Sequence, residues 1–253
     1  MKQVRQTVRE ARGPLYHYEG AAKAEVMEWA RTRPYDRVKR LVDVAVATAG
    51  LLLLSPLFLL LAVAIKLDSR GPVFFRQVRV GRDRRRVNKD LHLFDNVVQL
   101  DFRRRDAYGE LFTMVKFRTM RIDAEARTGA VWATENDPRV TRVGRFLRNT
   151  RFDELPQLWN VLRGDMSLIG PRPERPEFVV SFNEQIEGYS LRHLVTPGIT
   201  GLSQVRQGYD RCLDDVRRKV LYDLEYIERR SLSKDLAIVL DTLAVMVGHF
   251  GAL

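Results

Sequence analysis

A chain of 253 residues with 43 Lys and Arg against 32 Asp and Glu, a formal charge of +11, can bury a sizeable core and is suited to an anionic surface. That balance fits nucleic acid, acidic lipid headgroups or phosphorylated small molecules without choosing among them. A single cysteine, Cys212, excludes an internal disulfide and a multi-cysteine zinc site and suits a reducing compartment, and the histidines His17, His92, His193 and His249 show no metal-ligand spacing.

Residues 1–38 are polar and read as an extension, with a short helix over Ala21 to Ala30. From Val44 to Ile65 the chain runs VAVATAGLLLLSPLFLLLAVAI without a charge, long enough for a bilayer-spanning helix. The polar stretch ahead of it and the lack of a small-residue cleavage site argue against a secretory signal peptide. Ser55 and Pro56 fall in its middle. Proline removes a backbone donor and clashes with the preceding turn, so a bend is expected there, with the Ser55 hydroxyl available to a freed carbonyl. Arg31, Arg33, Arg37, Lys39 and Arg40 precede the segment, and Lys66, Arg70, Arg76, Arg79 and Arg82 follow it. Basic flanks favour the cytoplasmic side, so a re-entrant hairpin fits better than a straight span, with a proline-kinked transmembrane anchor as the alternative.

Beyond Gly71-Pro72, PVFFRQVRV has the β-branched and aromatic content of a strand, and LFTMVKFRTM from Leu111 to Met120 predicts its partner. The charged stretch between them, Arg82 to Gly109, carries Arg84-Arg85-Arg86 and Arg103-Arg104-Arg105. It reads as a solvated insertion, with contact to an anionic membrane surface as the alternative. A helical period appears in FDELPQLWNVL, and Gly and Pro punctuate RGDMSLIGPRPERPEF and TPGITG. Val216, Val220, Leu224 and Ile227 form one helical stripe. The last apolar helix, Leu236 to Val247, is short for a span, carries Asp241, and is expected to pack on the domain or lie at the interface.

Three constellations carry chemistry. Lys116 and Arg118 alternate on the second strand, so they share a face and could grip a phosphate, although exposed strands often carry such charges. Asp153 and Glu154 open a helical segment, with Thr150 three residues ahead in a capping-box spacing that accounts for one acid but less well for two. Adjacent helical residues point about 100° apart, so the two acids suit different jobs, one attacking and one holding a metal. In GPRPERP, Arg172 stands between two prolines, a frame that aims its guanidinium fork at an anion, and Arg148, Arg151 and Arg175 add to the cationic density around the acids.

Taken together, these segments resemble the bacterial sugar transferases known as monotopic polyprenyl-phosphate phosphoglycosyl transferases. The resemblance runs from about Lys39 to the C-terminus. It is carried by the Ser55-Pro56 break, IKLDSRGPVFFRQVRVG, KFRTM, WATENDPRVTRVGRFLR, TRFDELPQLWNVLRGDMSLIGPRPERPEF and TPGITGLSQV. It implies transfer of a sugar-1-phosphate from a UDP-sugar to polyprenyl (undecaprenyl) phosphate with release of UMP, the first membrane step of exopolysaccharide or related glycan synthesis. It further implies Asp153 as nucleophile and Glu154 as the Mg²⁺ ligand. Arg148 and Arg172 match positions linked to phosphate handling, and Lys116 and Arg118 fall in a matching motif. Direct transfer in a ternary complex and a non-catalytic, membrane-tethered basic adaptor are the alternatives.

The expected fold is α+β: a mostly helical, membrane-associated catalytic domain with a small β-hairpin and an N-terminal re-entrant broken helix. The organisation expected is an extension over 1–38, the membrane element over 39–67 and a catalytic domain over 68–253, with 84–109 as an insertion longer than the hairpin the resemblance implies. The chain is expected on the cytoplasmic face of the bacterial inner membrane, in contact with lipid and not with nucleic acid. No further amino-terminal transmembrane bundle is expected, and a homo-oligomer is compatible with the sequence.

Overall fold

Pro34 starts the first helix because its missing N–H is not needed there, and Asp36 accepts the Arg33 backbone N–H at 2.6 Å to close the entry. In this computed structural model residues 33–83, 109–122, 137–208, 210 and 212–248 are described. The expected helix over Ala21 to Ala30 and nearly all of the 84–109 insertion lie outside them.

Helix α1 (Pro34–Leu53) and helix α2 (Ser55–Asp68) are bent by 60° at Leu54. The bend has the expected cause. Pro56 cannot donate to the carbonyl four residues back, Leu52 O, and the Ser55 hydroxyl donates to that carbonyl at 2.8 Å instead. Among the described residues no single helix is long and apolar enough to cross a membrane, whereas this bent pair together passes that test. The pair is not free of the domain: Asp43 and Ala47 of α1 and Leu61 and Ile65 of α2 are buried. Leu52, Leu53, Leu59 and Leu60 around the bend are exposed, Leu53 by 79%.

Strands β1 (Phe74–Val80) and β2 (Leu111–Phe117) form the expected antiparallel hairpin, with Phe74 opposite Phe117 and Val80 opposite Leu111. Its neck is closed by Gly81 N donating to Glu110 O at 2.8 Å and Glu110 N donating to Arg82 O at 3.2 Å, so the insertion leaves and returns at one point. Then come α3 (Arg142–Thr150), a 3₁₀ turn (Phe152–Glu154) and α4 (Gln157–Arg163). Next follow β3 (Ser167–Ile169), α5 (Pro176–Gln185), a 3₁₀ segment (Tyr189–Leu194) and β4 (Gly198–Thr200). Helices α6 (Leu202–Arg206), α7 (Leu213–Arg229) and α8 (Leu232–Gly248) complete the described chain.

A second, parallel ladder of β3 and β4 is absent from the sequence expectations. It depends on glycine: a Cβ on Gly170, Gly198 or Gly201 would collide with backbone across the ladder. The GPRPERP and TPGITG loops are thereby locked together. The stripe of Val216, Val220, Leu224 and Ile227 is buried with Tyr189, Leu194 and Val179 in the largest core cluster.

The hairpin is fixed to α4 by packing of Met114 with Leu158 and Val161 and by one buried polar side chain. Asn160 donates to Thr113 O at 2.7 Å and accepts from Val115 N at 3.0 Å, serving the free edge of β2 as a strand would. Asn160→Ala leaves two part-buried backbone groups of the β2 edge without this partner and should destabilise the fold by about 1–3 kcal/mol. Thermal unfolding followed by circular dichroism in detergent measures the loss, and an unchanged Tm contradicts this role.

Candidate active site

Thr150 does not cap the acids. It is the last residue of α3, and its hydroxyl donates back to Phe146 O at 2.9 Å and Leu147 O at 3.2 Å. Arg151 follows with φ 60°, the only non-glycine residue with positive φ among those described. Holding an arginine in that region is unfavourable by on the order of 1 kcal/mol, and the conformation turns the chain abruptly from α3 into the Phe152–Glu154 turn. Phe152 packs on the cluster of Leu61, Ile65, Phe117 and Leu147, while Asp153 is 8% exposed.

Cations from three elements converge on this turn. Glu154 Oε1 accepts from Lys116 Nζ of β2 at 3.0 Å and from Arg172 Nη2 at 2.7 Å, and Oε2 accepts from Arg172 Nη1 at 3.3 Å. The Arg172 contact is the two-pronged guanidinium–carboxylate pairing. Arg148 on α3 donates through Nε to the Thr119 hydroxyl at 3.1 Å, and its charge also acts on Asp153. Gly144 allows this, since any side chain there would strike the Thr119 backbone and force α3 away from the strand exit.

The two neighbouring carboxyls are driven in opposite directions. Burial would raise Glu154, but Arg172 and Lys116 more than offset it and hold Glu154 well below the usual carboxylate range. Burial raises Asp153, Lys116 opposes the rise, and the neighbouring Glu154 charge adds to it. Burial also lowers Lys116, against the pull of Glu154. A fixed anion beside a carboxylate of raised proton affinity is the separation expected of two acids with different tasks.

Arg118 is not in this group. The ladder ends at Phe117, and Arg118 turns to the end of α2, donating to Ser69 O at 2.8 Å, Ile65 O at 3.4 Å and Arg70 O. The carbonyls at the C-terminus of a helix lack intrahelical partners and attract a cation, so the face shared with Lys116 is lost. Ser55 and Pro56 stand at the bend of the helix pair and shape its tip.

Among the described residues no three His, Cys, Asp or Glu side chains form a metal cluster. Two adjacent carboxylates still suit Mg²⁺, which takes one or two carboxylates and completes its octahedron with water and substrate phosphate. Glu154 Oε1 receives both short bonds and Oε2 only the 3.3 Å contact, so Oε2 is the Glu154 oxygen with more capacity left for the ion.

The profile of the bacterial sugar transferase family matches residues 34–89 and 97–249. The chain belongs to this family. A relative in Aeromonas hydrophila, a UDP-N-acetylgalactosamine-undecaprenyl-phosphate N-acetylgalactosaminephosphotransferase, is 44% identical over 218 residues, covering 86% of this chain and 45% of the relative. The UDP-glucose:undecaprenyl-phosphate glucose-1-phosphate transferase of Escherichia coli K12 is 41% identical over 208 residues, covering 81% of this chain and 39% of the relative. The exopolysaccharide production protein PSS of Rhizobium leguminosarum bv. phaseoli is 35% identical over 211 residues, covering 81% of this chain and 93% of the relative. The chain therefore spans less than half the length of the first two relatives.

Further charged residues that the sequence does not single out lie behind this candidate site. Arg79 on β1 donates to Pro173 O at 3.1 Å and lies 3.7 Å from Glu174. Burial lowers its pKa to about 10, with Glu174 opposing and Arg172 adding to the drop. Arg192 and Lys219 reach the same loop from the far side. Strand alternation puts Arg79 and the exposed Arg76 on opposite faces, but which face is covered is decided by nonlocal packing.

The opposed carboxyls imply opposed effects on stability at neutral pH. Asp153 has a raised pKa, so its ionised form destabilises the fold above the unfolded carboxylate pKa, and Asp153→Asn should leave Tm unchanged or raise it. Glu154→Gln strands Lys116 and Arg172 and should destabilise by on the order of 3 kcal/mol. Differential scanning calorimetry of both variants at pH 7 checks the pair, and equal shifts would contradict it.

Proposed function

We propose that the protein transfers a sugar-1-phosphate from a UDP-sugar to undecaprenyl phosphate, releasing UMP, from the cytoplasmic face of the bacterial inner membrane, as a step in exopolysaccharide or related glycan assembly. One observation carries the reading. The turn with Asp153 and Glu154 joins α3, which packs on α2, to α4, which packs on α1. A soluble donor and a lipid-tethered acceptor can therefore meet the same carboxylate between the two arms of an apolar wedge.

The wedge supports re-entry over a span. The start of α1 is tied to the domain by Lys39 to Asp235 at 2.8 Å and Arg230 to Asp36 at 3.1 Å. The end of α2 is tied by Arg118 and by Val143 N donating to Asp68 Oδ2 at 3.1 Å. Both ends thus belong to one body. The apolar part of α1 from Val44 extends about 15 Å, half of a hydrocarbon core of about 30 Å, enough to enter one leaflet. Exposed Phe146 on α3 and Trp159 on α4 suit the headgroup level beside it.

In the chemistry, an Asp153 carboxylate oxygen attacks the sugar-bearing phosphorus of the donor. A bond from Asp153 oxygen to phosphorus forms, the phosphorus–oxygen bond to UMP breaks, and UMP leaves with the electron pair. A phosphate oxygen of the acceptor then attacks the same phosphorus and breaks the aspartyl bond, which regenerates the carboxylate and yields the diphosphate-linked sugar. Lys116, Arg148 and Arg172 offset the charge of the diphosphate. Mg²⁺, if held by Glu154, would supply further neutralisation of the phosphates.

Purified protein mixed with a panel of UDP-sugars, without acceptor, should release UMP in an amount equal to the enzyme, and mass spectrometry should place the phospho-sugar on Asp153. Asp153→Asn should lower turnover by at least about a thousandfold. No burst with any donor overturns the covalent route.

The pH profile follows from the same site. The reaction needs ionised Asp153, whose proton affinity is raised, so kcat should fall with acid at a pH above the ordinary aspartate value of about 3.9. Lys116 lowers the Asp153 pKa, so Lys116→Met should raise it and move the acid limb to higher pH. A limb that stays in place or moves down contradicts Asp153 as the titrating group.

A further inference from the structure

Behind the carboxylates lies a second layer of buried charge that the proposed chemistry does not touch. Four consecutive carbonyls of the GPRPERP loop are each held from outside the loop. Pro171 O accepts from Gly198 N at 3.0 Å, Arg172 O from Arg192 Nη2 at 2.8 Å, Pro173 O from Arg79 Nη1 at 3.1 Å, and Glu174 O from Val80 N at 3.0 Å. Of the four donors, Arg192 is the one bound to the residue that faces Glu154.

Arg192 is 1% exposed. Its Nε donates to Asp223 Oδ2 at 2.8 Å, its Nη2 lies 2.7 Å from the same oxygen, and its Nη1 donates to the Tyr189 hydroxyl at 3.0 Å. Asp223 is held in turn by the Ser203 hydroxyl at 3.0 Å. The guanidinium thus links α7 and the Tyr189–Leu194 segment to the backbone of Arg172. A fully buried ion pair contributes little to stability compared with apolar packing of the same volume, so stability alone is a poor reason to have one here. Direction is a better reason: a fork-to-carboxylate contact has narrow geometry, and a misplacement of about 1 Å can lower rates about a hundredfold.

We propose that Arg192 is a positioning residue: by holding the Arg172 carbonyl while paired with Asp223, it sets the approach of the Arg172 guanidinium to Glu154 and to the substrate diphosphate. The inference rests on the transferase reading above. Lysine cannot replace Arg192, because one ammonium does not serve the carboxylate, the phenol and the carbonyl in the same fixed plane.

A double-mutant cycle with Arg172→Ala tests this, using UMP release with donor and acceptor, expressed per folded molecule. Arg192→Lys alone should lower kcat by about tenfold or more with the donor KM changed less than about threefold. In the Arg172→Ala background it should lower kcat no further, since the residue it positions is gone. Additive losses, wild-type turnover by Arg192→Lys, or wild-type turnover by Arg172→Ala each overturn the proposal. Should Arg192→Lys fail to fold, Asp223→Asn takes its place in the cycle with the same expectation. A wild-type protein that releases no UMP from any UDP-sugar instead overturns the transferase reading, so the two failures are distinct.

Discussion

The structure depends on two neighbouring carboxyls buried under a shared set of cations. Two adjacent anions in a medium of low dielectric repel each other, and both stay ionised only if positive charge is supplied nearby. Lys116 and Arg172 bond to Glu154 and leave Asp153 with less direct support. Position therefore divides the work between residues that are chemically alike. Each cation comes from a different part of the chain: Lys116 from the hairpin, Arg172 from the proline loop, Arg148 from α3. The fold beyond the bent helix pair can be understood as the apparatus that brings these three to one turn.

The bent helix pair and the carboxylate site share walls. Leu158 of α4, the helix that follows the carboxylate turn, packs with Ala47 of α1, and Phe152, next to Asp153, packs on the cluster that contains Leu61 and Ile65 of α2. A change in the angle between α1 and α2 would be transmitted directly to the turn between α3 and α4. Pro56 sets the bend, but the packing of both arms on the domain holds the angle, because a proline kink without tertiary support is a soft joint.

Much of this was legible in the sequence, where the signal is local. The uncharged run with Ser55-Pro56, the strand pair either side of the insertion, and the Val216–Ile227 stripe each have a period or a breaker that survives without tertiary context. Asp153 and Glu154 stood out because two adjacent acids exceed what one capping role explains. What was lost is nonlocal. Thr150 has the spacing of a cap, but the left-handed turn at Arg151 places it at the end of one helix and not the start of the next. Arg118 obeys strand alternation until the strand stops one residue earlier. The β3–β4 ladder is too short for a period of two, and its glycines, which normally argue against strands, are what permit the close approach. Arg192 and Asp223 lie 31 positions apart, and no pattern in either segment announces their pairing.

The exit of β2 shows how tightly these layers are joined. Four consecutive residues act on four different partners: Lys116 bonds to Glu154, Phe117 is buried against α2, Arg118 bonds to the carbonyls that end α2, and Thr119 accepts from Arg148. A strand alternates its side chains, so Lys116 and Phe117 point to opposite faces of the hairpin. One of those faces meets the carboxylate turn and the other is the base of the bent helix pair. The chain then leaves the ladder, which frees Arg118 and Thr119 from alternation and lets each find its own partner. A shift of this strand by one residue would exchange lysine for phenylalanine at the carboxylates and remove the apolar support of α2 in the same step. Register in the hairpin is therefore the constraint through which the wedge and the carboxylate site are specified together, and Asn160, which bonds to the free edge of β2, is the side chain that secures it.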